Sequence, residues 1–456
     1  MSRSLFAAHA LLPSGWARDV LLGWDDAGTL LAVQAGAGAP PGVERAAGAL
    51  LPGLPNCHSH AFQRAFAGLT EFRANAADSF WTWRDLMYRF ALAVSPDQLE
   101  RIATGLYVEL LQAGYTSVCE FQYLHHDPAG RPHADPAELS LRLVAAARRA
   151  GIGLTMLPVL YRHAGFGGRP PRADQRRFVN DAPALLRIVE RLRREPGLRV
   201  GVAPHSLRAV APQDLRELLE GVAAIDATAP NHIHVAEQQQ EVDDCLAWGG
   251  VRPVRWLLDH APVDARWCLV HATHLDAGET DALARSGAVA GLCPTTEANL
   301  GDGLFPAPAY LAAGGRWAIG SDSHAGVDAA EELRLLELGQ RLIRRERNVL
   351  ASPARPQVAE SLWLGAVAGG AQAAGRPIGG LAVGQQADLV VVDAPQFDRL
   401  SASQALASLV FAPPRRGAVR DVWVGGRRRV QNGSHAEAED AMRGFVAARA
   451  ELLSEL

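Results

Sequence analysis

The chain of 456 residues contains no lysine; all 45 of its basic residues are arginine. A carboxylated lysine bridging two metal ions is therefore excluded, and any metal site here is expected to hold one ion. An arginine bias in the source composition accounts for the absence itself. Cysteine is also sparse: Cys57, Cys119, Cys245, Cys268 and Cys293 are scattered, odd in number and never spaced C-x-x-C. Most fall in apolar stretches, which reads as buried, reduced thiols of a cytoplasmic protein rather than a disulfide framework. No apolar run reaches the roughly 20 residues that a bilayer-spanning helix needs, so no membrane partner is expected. No surplus of positive charge exists either: the formal net charge is −4, without the basic footprint of nucleic-acid binding. Internal repeats and low-complexity tracts are lacking. The apolar start is interrupted by His9 and runs into a strand-like segment over residues 19–24, so no secretion signal is expected.

What is there is ordinary for a globular chain, with 48% hydrophobic and 21% charged residues. The length fits one large domain and a smaller one. Short apolar strands read near residues 51–60, 115–120, 153–159, 198–204, 231–235, 267–271, 287–293 and 315–322. Between them lie amphipathic helical stretches such as residues 96–113, 137–150 and 181–194. Strands alternating with helices in this way predict an α/β fold, a (β/α)8 TIM barrel over residues 51–375. Residues 16–35, 381–393 and 418–430 read instead as short strands with glycine turns, and 381–393 as one hairpin-like unit. Residues 1–50 and 376–456 are thus expected to pair into a small β-sandwich domain, the latter also carrying a terminal helix.

The chemistry sits at strand ends. His58-Ser59-His60 closes the first barrel strand, and a period of two puts both imidazoles on one face, with Cys57 and Ser59 on the other. Two imidazoles projecting together make half of a zinc site. Three later segments have the same form: residues 231–235 carry His234 with Glu237 three positions on, residues 267–271 end in His271, and residues 317–322 end in Asp322. In a (β/α) barrel the carboxyl ends of the strands are where active sites are built.

These residues carry a resemblance. His58-Ser59-His60, His234-x-x-Glu237, His271, Asp322 and Gly384-x-x-Ala387-Asp388-Leu389-Val390 resemble the deaminases of the amidohydrolase superfamily over nearly the whole length. Within it the chain is similar to the formimidoylglutamate deiminase family. The specific carriers are residues 58–71, Asp78-Ser79-Phe80-Trp81-Thr82-Trp83-Arg84, residues 120–125, residues 203–208 and residues 294–300. The resemblance implies hydrolysis of N-formimidoyl-L-glutamate to N-formyl-L-glutamate and ammonia in histidine degradation, by a cytoplasmic homodimer. It implies one divalent metal per chain, zinc or alternatively iron, held by His58, His60, His234 and Asp322. Glu237 would carry protons from water to the leaving nitrogen. His271 would polarise or position the water, and Asp322 would handle protons as well as bind metal.

The substrate so implied is a small dicarboxylate, which arginine forks suit. Resemblance carries its binding onto Gln63, Arg84, Tyr123, His205 and Arg208. Of these, position alone points only to Arg208 and His205, beyond the fourth strand. His232 reads as a hydrogen-bonded core histidine, His274 and His324 as neighbours of the site, and His125, His126, His133 and His163 as solvated loop residues. Two other readings remain: a deaminase of amino-heterocycles such as purines or pyrimidines, which the same metal set would serve but which would want aromatic stacking and amide readout, and an inactive scaffold, which would be expected to have lost ligands or the acid, whereas all are intact here.

Overall fold

The computed structural model describes residues 3–71, 80–414 and 417–455, with the side chains of residues 80–82 left out. Asp78 and Ser79, part of the stretch that carries the family resemblance, lie outside the described residues.

Eight parallel strands form the barrel: Leu54–Ser59, Tyr115–Gln122, Gly153–Leu160, the broken strand Arg199–Val200 with Ala203–Pro204, Asn231–Val235, Trp267–His271, Val289–Leu292 and Arg316–Ile319. Ladders join the first four and the last four. Parallel bridges Val202↔Asn231 and Ser206↔His234 join the two halves on one side, and Ser59↔Asp322 closes the ring on the other. Strands two, three, five and six are buried at every position. Burial on both faces is why Gly153–Leu160 and Trp267–His271 read as near-continuous apolar runs instead of alternating ones.

The helices follow from local signals. Ser95 caps helix Pro96–Gln112 in a capping box with Gln98, and proline opens the first turn. Leu99, Ile102, Ala103, Leu106, Tyr107 and Leu110, three or four apart, are buried against the strands. One glycine is decisive at the barrel seam. A Cβ on Gly320 would stand 2.8 Å from the backbone nitrogen of His58 and 2.9 Å from its carbonyl oxygen. Only glycine lets the eighth strand approach the first so closely.

The chain ends share one nine-stranded sheet, in which Ala49–Pro52 pairs with Leu389–Val392. Leu5, Ala7, Val20, Leu22, Trp24, Leu50, Leu389, Val391 and Trp423 enclose a core of its own. Two expectations change. Residues 381–388 form no strand; only Leu389–Val392 does, and its partners are Ala49–Pro52 and Val419–Val424. Arg3–Leu12, not expected as an element, is a strand paired with Gly15–Trp24. Its alternation is masked because both faces meet apolar neighbours.

Candidate active site

His58 and His60 from the first strand meet His234 from the fifth and Asp322 beyond the eighth. Their Nε2 atoms are 3.1 Å apart for His58 and His60, 3.0 Å for His58 and His234, and 3.4 Å for His60 and His234. Asp322 Oδ1 lies 3.4 Å from Nε2 of both His58 and His60. Hydrogen bonds alone do not account for this arrangement. Nδ1–H of His60 donates to the Phe121 carbonyl at 3.0 Å, and Nδ1–H of His234 to the His205 carbonyl at 3.0 Å. Both Nε2 atoms are therefore bare lone pairs facing one point, and one proton on His58 cannot satisfy both. Tetrahedral zinc with Zn–N near 2.05 Å would set its nitrogen ligands about 3.3 Å apart. The four side chains thus fit a divalent cation, with backbone carbonyls orienting two of the rings. His58 Nδ1, by contrast, has no partner among the described residues. Burial pushes the His58, His60 and His234 imidazoles below their ordinary value, which keeps the lone pairs available.

Backbone strain helps aim these groups. Ala236, His271 and Asp322 adopt left-handed φ values of 52°, 66° and 47°. Non-glycine residues accept this at a cost of roughly 1–3 kcal/mol each, and such strain collects at functional sites.

Around the cluster, His271 Nε2 lies 3.8 Å from Glu237 Oε1 and 3.6 Å from Asp322 Oδ2. Its Nδ1–H donates to Glu297 Oε1 at 3.3 Å. Burial opposes charge on His271, but the carboxylates of Glu237, Glu297 and Asp322 outweigh it and push its pKa up to about 10. A divalent cation on the neighbouring ligands would act in the opposite sense. Burial raises the Glu237 carboxyl, against the pull of His271 and Arg208.

The cluster forms the floor of a cavity of about 480 Å³. Gln63, Arg84, Tyr123, His205 and Arg208, the five residues expected to bind substrate, all line it. Gln63 donates to the Tyr123 hydroxyl at 2.7 Å, and its Oε1 is buried with no partner among the described residues. The Arg84 guanidinium lies 5.5 Å from the Tyr88 ring centroid. Arg208 lies 3.6 Å from Glu237 and 3.7 Å from Glu241. Arg208 and Glu237 are therefore adjacent, a pairing that no spacing in the chain announces.

Several residues of the site were not singled out from the sequence. Glu297 holds His271, while Tyr161, Phe178 and Arg169 complete the walls. Glu297 stands on the short helix after the seventh strand, a strand-end position like the others. The histidines also need revision. His125 is buried and donates Nε2–H to the Val159 carbonyl, because its loop folds under residue 177. His126 and His163 are part-buried and bonded to the Val179 carbonyl and to Asp214, and His163 lines the cavity. His232 is the expected core histidine, bonded to the Ala373 carbonyl.

Known proteins resemble this chain over nearly its whole length. Residues 49–429 match the family model described as "Amidohydrolase family". Residues 2–47 match "Formimidoylglutamate deiminase HutF, N-terminal domain". A formimidoylglutamate deiminase of Pseudomonas aeruginosa is 55% identical over 99% of both chains. An 8-oxoguanine deaminase of the same organism is 29% identical over 84% of this chain and 83% of its own. The crystal structure of an amidohydrolase from Brucella melitensis superposes with a TM-score of 0.94 at 48% identity, covering 99% of this chain and 100% of that one. An adenosine deaminase from Xanthomonas campestris, solved with bound zinc, shares the fold at a TM-score of 0.80 and 23% identity, covering 99% and 98%.

The chain belongs to the amidohydrolase family, whose barrel and His/Asp metal-binding group it carries. Within that family it belongs with the formimidoylglutamate deiminases.

Proposed function

We propose that this chain hydrolyses N-formimidoyl-L-glutamate to N-formyl-L-glutamate and ammonia, with one zinc ion held by His58, His60, His234 and Asp322. One observation carries the geometric side of this reading. The metal cluster, Glu237 and His271 form the floor of a cavity whose wall bears Arg84 and Arg208. A site for an uncharged heterocycle has no use for two such arginines, whereas a substrate with two carboxylates does.

Zinc, when bound, makes water a nucleophile at neutral pH. Arg84 and Arg208 hold the two carboxylates, and Gln63, Tyr123 and His205 orient the formimidoyl group over the cluster. Glu237 accepts a proton from the attacking water as its oxygen bonds to the formimidoyl carbon, and delivers that proton to the terminal nitrogen. His271, its Nδ1–H engaged by Glu297, directs Nε2–H at the oxygen of the tetrahedral adduct. Asp322 passes the adduct's hydroxyl proton to the same nitrogen. The C–N bond breaks, the carbonyl forms and ammonia leaves. The same reading includes a homodimer in the cytoplasm acting in histidine degradation.

The test is ammonia release from N-formimidoyl-L-glutamate with metal content measured on the same sample. Release from aminopurines or 8-oxoguanine, with none from the formimidoyl substrate, would replace this reading by heterocycle deamination. Light scattering checks the dimer.

A further inference from the structure

Beneath the metal ligands runs a belt of buried polar groups that the reaction does not use. Asn56 Nδ2–H donates to Ser321 Oγ at 2.6 Å, and Ser321 Oγ stands 2.9 Å from His324 Nδ1. His324 Nε2 stands 3.1 Å from Ser59 Oγ, and Ser59 Oγ–H donates to Glu120 Oε2 at 2.7 Å. The Tyr107 hydroxyl donates to the same oxygen at 3.0 Å, and the Ala61 backbone N–H donates to Glu120 Oε1 at 2.7 Å. At the far end, Asn56 Oδ1 accepts from the backbone N–H of His58 and of Ser321, each at 3.2 Å.

One set of directions gives every proton of the belt an acceptor. Asn56 Oδ1 faces two backbone donors, so its amide must offer Nδ2–H to Ser321. Ser321 then spends its proton on His324 Nδ1, which places the imidazole proton on Nε2. Ser59 accepts that proton and gives its own to Glu120. Both Glu120 oxygens are thereby acceptors, and these bonds favour the carboxylate against the burial that raises its pKa to about 7. The belt joins the first, second and eighth strands at the barrel seam. It fixes Ser59 and Ala61, on either side of His60, the amide of His58, and Ser321 beside Asp322.

We propose that Glu120 is a positioning residue for the metal. As the terminal acceptor it sets the polarity of the whole belt, and through Ser59, His324 and Asn56 it holds the strands that carry His58, His60 and Asp322 in register. It touches neither metal nor substrate. The proposal rests on the reading of those side chains as ligands.

The substitution Glu120→Gln tests it. Glutamine keeps an acceptor for Ala61 but turns a donor toward Ser59. Ser59 is then driven to donate to His324 Nε2, which moves the imidazole proton to Nδ1 and leaves Ser321, now accepting from both Asn56 and His324, with its own hydroxyl proton unspent. Zinc affinity, read by competition with a chromophoric chelator, is expected to fall severalfold, up to the roughly tenfold at the lower end of what losing a direct partner of a ligand side chain costs. The histidine ¹⁵N spectrum is expected to show His324 protonated on Nε2 in the wild type and displaced from that tautomer in Glu120→Gln. Adding Ser59→Ala to Glu120→Gln is expected to cost little more, because both act through one contact. Affinity within about twofold of wild type overturns the proposal, as does an Nδ1-protonated His324 in the wild type. If Glu120→Gln does not fold, Ser59→Ala alone carries the test: a severalfold loss of affinity is expected, and none overturns it. A wild type that binds no zinc would sink the ligand assignment instead, while the tautomer of His324 is read without metal.

Discussion

Arg208 Nη2 lies 3.6 Å from Glu237 Oε2, so the cation expected to hold a substrate carboxylate also sits in the field of the proton carrier. Its positive charge pulls the Glu237 carboxyl down against the burial that raises it. Arg84 and Arg208 are therefore not equivalent, and mutation separates them.

Replacing Arg84 by Met removes one charge-assisted contact, on the order of 1.5–3 kcal/mol. That is roughly a tenfold to hundredfold fall in kcat/KM for N-formimidoyl-L-glutamate. An uncharged formimidoyl amine should lose much less. Arg208→Met should show the same selective loss and one effect more. With the guanidinium gone, Glu237 holds its proton to higher pH, so the rising limb of the kcat–pH profile moves upward. Kinetics of both variants on both substrates, across pH, decide the matter. Equal losses on the two substrates would make the arginines structural.

Glu237→Gln keeps the shape of the side chain and cannot carry a proton. Turnover is expected to fall about 10²–10⁴-fold, the usual contribution of a positioned acid–base group. Metal content and melting temperature should stay near wild type. A near-normal rate would move the proton to another group, with Asp322 next in line.

Metal analysis should return about one divalent ion per active chain, because His58, His60, His234 and Asp322 converge on one point, the neighbouring group of His271, Cys293 and Glu297 is engaged in the His271–Glu297 hydrogen bond, and no lysine is present to bridge a second ion. Chelation should abolish ammonia release and added zinc restore it. Two equivalents in the active protein would contradict this.

His125 gives the stability a pH dependence of known sign. Burial lowers its pKa from 6.5 to about 4, although its bond to the Val159 carbonyl resists the shift. Between those values the unfolded chain binds a proton that the folded one does not. Stability is therefore retained above pH 6.5 and lost as the pH falls toward 4. Over the full window this site contributes a loss of about 3 kcal/mol. In urea titrations across that range His125→Gln should flatten the acid limb. An unchanged limb would show that His125 is protonated without opening the fold.

The order of elements and the chemical types at strand ends were legible in the chain because they are local. A period of two puts His58 and His60 on one side of one strand whatever that strand packs against. Capping boxes and glycine stops fix helix ends within a few residues. The missing lysine closes one kind of metal bridge outright. None of this says that the rings of His60 and His234 face one point, or that Asp322 returns to the first strand at Ser59. Those contacts join segments far apart in the chain, and only closure of the barrel, with Gly320 admitting the backbone of His58, brings them together. The pairing of Arg208 with Glu237, the burial of His125 and the belt that ends at Glu120 have the same origin. Each depends on which side chains share a low-dielectric space, and packing decides that, not periodicity. Chain pattern supplied the reactive groups; tertiary structure set their distances, and hence their charges and roles.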